Sequence, residues 1–244
     1  MLMQKAATGV LRVSMELGGN APFVVFEDAD LDKAVAGALQ AKFRNIGQAC
    51  TAANRFIVHE DVADEFARRI SETVAGYKVG EGLAEGVNIG PLIDQDAVAK
   101  VGELVEDATK RGAKLLSGGN KIDGAGNFFQ PTVVDAVPAG SEILAQEIFG
   151  PVVAIQRFKT EDEAVALANS TEYGLVSYVF TEDLNRGMRM IQRLESGMMG
   201  LNTGLVSNAA APFGGVKQSG VGREGSFEGI NEYLETKYVL VPNS

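Results

Sequence analysis

Cysteine and histidine are almost missing from this sequence. Cys50 and His59 are the only residues of their kinds, and tryptophan is absent. A single cysteine excludes an internal disulfide framework and points to a reducing compartment. One cysteine and one histidine form no recognisable metal-ligand set, so no metal site is expected. Long apolar runs are also missing. Nowhere do roughly 18 apolar residues stand together, and the start, MLMQKAATGV, has no apolar core of signal-peptide length. The reading is a cytoplasmic protein with no membrane partner. Runs of Lys or Arg are missing too, while the net charge is −10 and the pI about 4.7. Nucleic acid is therefore excluded as a partner, and an anionic ligand would need a local cation. There is no P-loop, internal repeat or low-complexity tract.

Glycine (29 residues) and apolar residues (45%) are plentiful, enough for a large core in one large domain or two small ones. Val13–Leu17 and Pro22–Phe26 read as strands on either side of a Gly18-Gly19-Asn20 turn. A helix follows, with Asp28 and Asp30 as caps and Leu31, Ala34, Val35, Ala38 and Leu39 on one face. It runs out near Asn45 and Gly47, which leaves Cys50 in a loop. Further strands are predicted at Arg55–His59, Lys114–Leu116, Pro131–Val134, Pro151–Phe158, Leu175–Phe180 and Met198–Asn202. Helices are predicted from Val62 with Asp61 as cap, at Ala97–Lys110 ending near Gly112, after Thr160 with Glu163 as a capping box, and at Leu184–Leu194. This alternation predicts an α/β protein with a helix-flanked, mostly parallel sheet. Thr203–Gly225 is rich in Gly, Ser and Asn. Thr236–Val241 then reads as a lone strand, an exposed edge unless something covers it.

The stretch KFRNIGQACTAANR surrounds Cys50. Read locally, Cys50 is either a small buried hydrophobe or a nucleophile approached through Gly47, Gln48 and Ala49. A helix that ends beside the sulfur would not lower its pKa, whereas one that begins there would. His59, at a strand end and followed by two acids, reads as a solvated histidine rather than a base. The base is then a carboxylate or a lysine. Glu16 ends an apolar strand beside two glycines, so it is either a partly desolvated acid or an ordinary edge glutamate. Glu147, in QEIFGP, has a similar setting. Gly220 to Gly225 fits G-x-G-x-x-G, but no strand is predicted before it and no acid stands at the required distance, so it reads as a Gly-rich turn.

Four stretches taken together resemble the aldehyde dehydrogenase family: MELGGNAPFVVFEDADLDKAV, FRNIGQACTAANRFIVHE, QEIFGPVVAIQRF and APFGGVKQSGVGREG. The resemblance covers essentially the whole chain. It implies the family's catalytic-domain fold and oxidation of an aldehyde with NAD+ or NADP+. Cys50 would be the nucleophile, forming a thiohemiacetal and then a thioester, its thiolate favoured by the site and the bound cofactor. Glu16 would be the base that activates the hydrolytic water, which answers the want of a histidine. Glu147, Phe149, Leu17 and Gly18 would bind the cofactor. The Cys50 backbone N–H would supply half of an oxyanion hole. Arg44, Ser207 and Phe213 resemble the substrate-binding residues of succinate-semialdehyde dehydrogenases, and an Arg fork suits a small anionic aldehyde. Some members of that group carry a second cysteine two residues after the nucleophile; Ala52 stands there in this sequence, so a redox switch of that kind is not expected.

The family's chain is about twice this long. The resemblance implies a division into residues 1–19, a remnant of the nucleotide-binding domain, 20–218, the catalytic domain, and 219–244, a C-terminal segment. Residues 236–241 would be an oligomerisation strand that adds to a neighbouring subunit, making a homo-oligomer. Two expectations follow. The first is the chemistry of a semialdehyde dehydrogenase acting on succinate or glutarate semialdehyde, with little turnover by this chain alone. The second is a non-catalytic relic that keeps the fold and the oligomer contacts.

Overall fold

A computed structural model describes residues 1–242. In chain order the elements are α1 (Leu2–Thr8), β1 (Met15–Glu16), β2 (Ala21–Val25), α2 (Leu31–Phe43), β3 (Ala53–His59), α3 (Glu60–Ala75), α4 (Gln95–Lys110), β4 (Lys114–Ser117), β5 (Thr132–Asp135) and α5 (Glu142–Ala145). They continue with β6 (Val152–Phe158), α6 (Glu161–Asn169), β7 (Tyr173–Gly174), β8 (Val176–Phe180), α7 (Leu184–Arg193), β9 (Met198–Leu201), β10 (Val216–Lys217), β11 (Gly220–Val221) and α8 (Ser226–Asn231).

Seven strands form one sheet in the order β4-β5-β6-β3-β2-β8-β9, parallel throughout except for the antiparallel β4–β5 edge. Both faces are covered, so the central strands read as continuous apolar runs rather than alternating ones. Along β2 the side chains still divide with period two. Phe23 and Val25 join the cluster under α2 and α3, with Phe66 and Ile70. Val24 and Phe26 join the opposite cluster under α6 and α7, with Val165 and Met190. Phe23 is fully buried at the centre of an aromatic group, 4.9 Å from Phe180 and 5.2 Å from Phe56 between ring centroids. A third cluster packs α4 against β5 and β6. No helix among the described residues is long and apolar enough to cross a membrane.

Most of the predicted elements form, with a few corrections. Asp30 alone caps α2, its carboxylate accepting from Lys33 N–H at 3.1 Å. Asp28 instead accepts from Thr181 Oγ1 and the Glu182 and Asp183 N–H groups, pinning the turn after β8. The cap of α3 is His59 rather than Asp61: His59 Nδ1 accepts from the Asp61 N–H at 3.3 Å. That imidazole is largely covered, packed T-shaped against the Phe158 ring, and is not the solvated group expected. Thr160 caps α6 as expected, while Glu163 reaches back to the Lys159 N–H, one residue before the cap.

The predicted strand Val13–Leu17 shrinks to Met15–Glu16, because its partner β11 offers only Gly220 and Val221. Those two residues lie in the Gly-rich turn of the sequence reading, so that stretch is partly strand. Thr236–Val241 forms no strand and pairs with no strand among the described residues. Tyr238 is 81% exposed and Val241 78%.

Candidate active site

Gly18, Gly19, Cys50, Glu147 and Phe149 all lie where internal strands of the sheet begin. Gly18 and Gly19 precede β2, Cys50 precedes β3, and Glu147 and Phe149 precede β6. These strands are parallel, so the loops all sit at their amino ends. Open α/β sheets usually bind ligands at the carboxyl ends. Here the connections entering the strands carry the side chains of interest.

The Cys50 loop is fixed from several sides. Asn45 and Gln48 close its first turn, Gln48 N–H to Asn45 O at 2.8 Å and Asn45 Nδ2 to Gln48 O at 2.6 Å. Gln48 Oε1 accepts from Ile93 N–H at 2.9 Å, tying in the loop before α4. The buried Tyr178 hydroxyl donates to Thr51 O at 2.8 Å, and burial pushes that phenol up to about 12. Ile46 and Gly47 both take positive φ, at 59° and 76°. A Cβ on Gly47 would overlap the Gly150 carbonyl, so only glycine lets the Cys50 loop lie against the Glu147 loop. For a β-branched residue such as Ile46 this backbone is strained.

Glu147 is held at that contact. Gly19 N–H donates to Glu147 Oε1 at 3.0 Å, and Lys100 Nζ donates to the Glu147 carbonyl at 2.7 Å. A Cβ on Gly18 would stand 2.9 Å from Oε2, and one on Gly19 would stand 2.5 Å from the Cys50 carbonyl. The double glycine therefore brings the carboxylate and the cysteine loop against the start of β2. Burial raises the Glu147 carboxyl, while the Gly19 N–H, Lys100 and Lys42 pull it back. Phe149, at φ 54°, and Leu17 lie on the exposed rim of the same place.

Glu16 is positioned differently. It ends the β1–β11 ribbon, and Leu17 and Gly18 are secured through Ser219: Leu17 N–H to Ser219 O at 3.0 Å and Ser219 Oγ to Gly18 O at 2.8 Å. Both Glu16 carboxylate oxygens are buried without a hydrogen-bond partner. Desolvation first, then the charge of Glu224, raise its pKa, and Arg223 opposes them. The sequence alternative of an ordinary edge glutamate is thereby corrected. Phe213 pairs through its backbone with Glu224, at 2.8 and 2.7 Å, and the next residue, Gly214, would place a Cβ 2.7 Å from Glu16 Oε1.

Cys50 is half-buried and feels both acids. Burial first, then Glu147 and later Glu16, push its thiol up. The local surroundings therefore disfavour a thiolate, contrary to the expectation stated above. The physical reason is plain: α2 ends rather than begins beside the loop, and the charges that act on the thiol are those of carboxylates.

Arg44 is the exposed C-cap residue of α2, with Nη2 3.5 Å from Thr51 Oγ1, beside Cys50. Ser207 lines a groove of about 520 Å³ with Met199, Thr203 and Pro212 beside the edge strand β9. No hydrogen bond among the described residues joins Ser207 to Arg44 or Cys50. Sequence reasoning missed Lys42, Lys100 and Tyr178. Their signal was weak: each sits within a predicted helix or strand and reads locally as surface or core. No group of three His, Cys, Asp or Glu residues among those described could hold a metal ion.

The site is a lone cysteine near two carboxylates whose pKa values are raised, on an α/β scaffold. Residues 1–239 match the aldehyde dehydrogenase family. The chain belongs to that family. It is 55% identical over 238 residues to a succinate-semialdehyde dehydrogenase of Paenarthrobacter nicotinovorans, covering 98% of this chain and 53% of that protein. It is 53% identical over 240 residues to a glutarate-semialdehyde dehydrogenase of Pseudomonas putida, covering 98% and 50%. The crystal structure of an NADP-dependent enzyme of Escherichia coli superposes with a TM-score of 0.96 at 52% identity, again over 98% of this chain and 50% of the other. The chain thus spans about half the length of the curated relatives it matches.

Proposed function

We propose that this chain carries the catalytic half of an NAD(P)+-dependent semialdehyde dehydrogenase, with succinate semialdehyde as substrate and glutarate semialdehyde as the alternative. The observation that supports it most is the closeness of Cys50 to both Glu147 and Glu16, whose charges act on its thiol. Cys50 Sγ attacks the aldehyde carbon to give a thiohemiacetal, and the Cys50 N–H faces the oxyanion. Glu16 then takes a proton from the water that hydrolyses the Cys50 thioester. Its desolvation suits it to this, because a raised carboxylate pKa makes a stronger base. Glu147, Phe149, Leu17 and Gly18 would hold the nicotinamide end of the cofactor. The free Oε2 of Glu147 and the exposed ring of Phe149 fit a ribose hydroxyl and a flat ring. When bound, the cofactor supplies the hydride acceptor. Arg44, with no ion-pair partner among the described residues, would hold the substrate carboxylate, with Ser207 and Phe213 as further substrate contacts.

In this reading residues 1–19 belong with the nucleotide-binding domain, 20–218 form the catalytic domain, and the exposed tail at 236–241 pairs with another copy in a homo-oligomer. The raised thiol accords with a site that the rest of a longer protein and its cofactor complete. The test is NAD(P)H formation from succinic semialdehyde with each cofactor, beside Cys50→Ala and alkylation of Cys50. The expected result is a Cys50 that alkylates and little turnover by the chain alone. Reconstitution with the other half of a relative should restore turnover that Cys50→Ala abolishes. A reconstituted Cys50→Ala protein as active as the reconstituted unaltered one would overturn the proposal.

A further inference from the structure

Asn20 follows the double glycine that the cysteine loop and the Glu147 loop both touch, and it has no part in the chemistry above. It is 2% exposed and is tied on two sides by direct hydrogen bonds. Its Nδ2 donates to the Leu144 carbonyl at 2.8 Å, on α5, shortly before Glu147. Its own carbonyl accepts from Arg55 Nε at 3.1 Å and from Arg55 Nη2 at 2.9 Å. Arg55 stands on β3, in the strand that Cys50 precedes, and is 1% exposed. The rest of its fork closes the last turn of α6, Nη1 to Leu167 O at 2.7 Å and Nη2 to Ala168 O at 2.9 Å. A cation among the carbonyls that end a helix is favourably placed, and a planar fork is rigid. Arg55 therefore clamps the start of β2 to β3 and to α6.

The Asn20 side chain is not fully satisfied where it sits. Its Oδ1 is buried without a hydrogen-bond partner among the described residues, which costs desolvation that an alanine would avoid. What asparagine adds is the Nδ2 bond to the segment that leads into Glu147. One residue earlier, the Gly19 N–H donates to Glu147 Oε1 at 3.0 Å, and a Cβ on Gly19 would stand 2.5 Å from the Cys50 carbonyl. Neighbouring residues thus grip one loop at two points, its backbone and its carboxylate. Glu147 Oε2 accepts no hydrogen bond among the described residues.

We propose that Asn20 is a positioning residue of this site: anchored through its carbonyl to Arg55, it holds the Leu144–Glu147 segment with its amide, so that the Gly19 N–H aims the Glu147 carboxylate and leaves Oε2 for the cofactor ribose. The inference rests on the role of Glu147 given above and adds the residue that sets its place.

The test is amide hydrogen exchange followed by NMR in the full chain, without aldehyde or cofactor. The Gly19 N–H is read against the amides of Phe23, Val24 and Val25 in β2. Asn20→Ala removes the side-chain amide but keeps the carbonyl that Arg55 holds. Gly19 should then exchange about tenfold faster, the scale of one lost hydrogen bond, while the β2 amides keep their rates. Glu147→Ala should speed Gly19 in the same way, and adding Asn20→Ala to it should bring little further change, because both act through one bond. A residue that merely stabilised the strand would speed Gly19 and the β2 amides together, and that outcome would sink the proposal. So would a Gly19 rate unmoved in folded Asn20→Ala. If Asn20→Ala does not fold, the Asn20 Nδ2 protons decide. They should exchange faster in Glu147→Ala than in the unaltered chain, since coupling between the two bonds is reciprocal, and an unchanged rate would overturn the proposal. Each of these failures leaves the dehydrogenase reading standing. A reconstituted Cys50→Ala protein of full activity would remove that reading and leave the Gly19 result as it is.

Discussion

The two carboxylates of the site rest on very different foundations. Glu147 and Cys50 sit on loops that enter central strands of the seven-stranded sheet, backed by Phe23, Phe56 and Tyr178. Glu16 sits on a two-residue ribbon, β1 against β11, flanked by Val10, Leu11, Val221 and Phe227, all strongly exposed. Glu147 has an N–H partner and two cations, whereas both Glu16 oxygens have none. One half of the site is thus over-determined by core packing. The other depends on a few backbone bonds and on whatever covers its apolar flanks.

The contrast can be broken most forcefully from the core side. Phe23→Ala should cost about 3–5 kcal/mol, because it empties the centre of an aromatic cluster. Phe227→Ala, on an 87% exposed side chain, should stay within about 0.5 kcal/mol. Urea unfolding of both variants checks this. Equal effects would mean that the C-terminal region is as tightly packed as the sheet.

A somewhat smaller effect sharpens the contrast through pH. The folded-state pKa of Lys42, about 7, lies below its unfolded value of 10.5. The unfolded chain therefore binds more protons between these values, and stability from this group rises with pH across that window. Below pH 7 the folded protein carries a charged, desolvated lysine, at a cost on the order of a few kcal/mol. Lys42→Met should be flatter between pH 7 and 10 than the unaltered chain. Unfolding midpoints measured across that range would show it, and parallel curves would exclude it.

The smallest expected effect separates the two acids directly. Glu147→Gln and Glu16→Gln should both let Cys50 alkylate at lower pH, with the larger shift for Glu147, the stronger of the two influences on the thiol. Iodoacetamide rate–pH profiles give the ranking. A larger shift for Glu16→Gln would mean that the ribbon brings Glu16 closer to the sulfur than the core loop brings Glu147.

Much of the sheet half was legible in the sequence. Asp30 before Leu31, and Thr160 before an apolar run, are local signals, because a cap binds an N–H three residues away. The β2, β3 and β8 runs are long and apolar enough to declare themselves. The ribbon half was not legible. Gly220-Val221 carries no strand signal, and it pairs only because Met15-Glu16 lies beside it. His59 as a cap likewise escaped notice, since Asp61 is the stronger capping residue and only the backbone geometry selects the histidine.

The sequence by itself determined the fold class, the loop position of Cys50 and the kinship with aldehyde dehydrogenases. Periodicity, turn residues and motif order are properties of neighbours along the chain. Only the tertiary structure decided that Gly19 and Glu147, 128 residues apart, meet beside the cysteine. It also decided that the thiol is pushed up and that Lys42 is buried. Desolvation and Coulomb interactions depend on distances through space, which the order of residues does not contain.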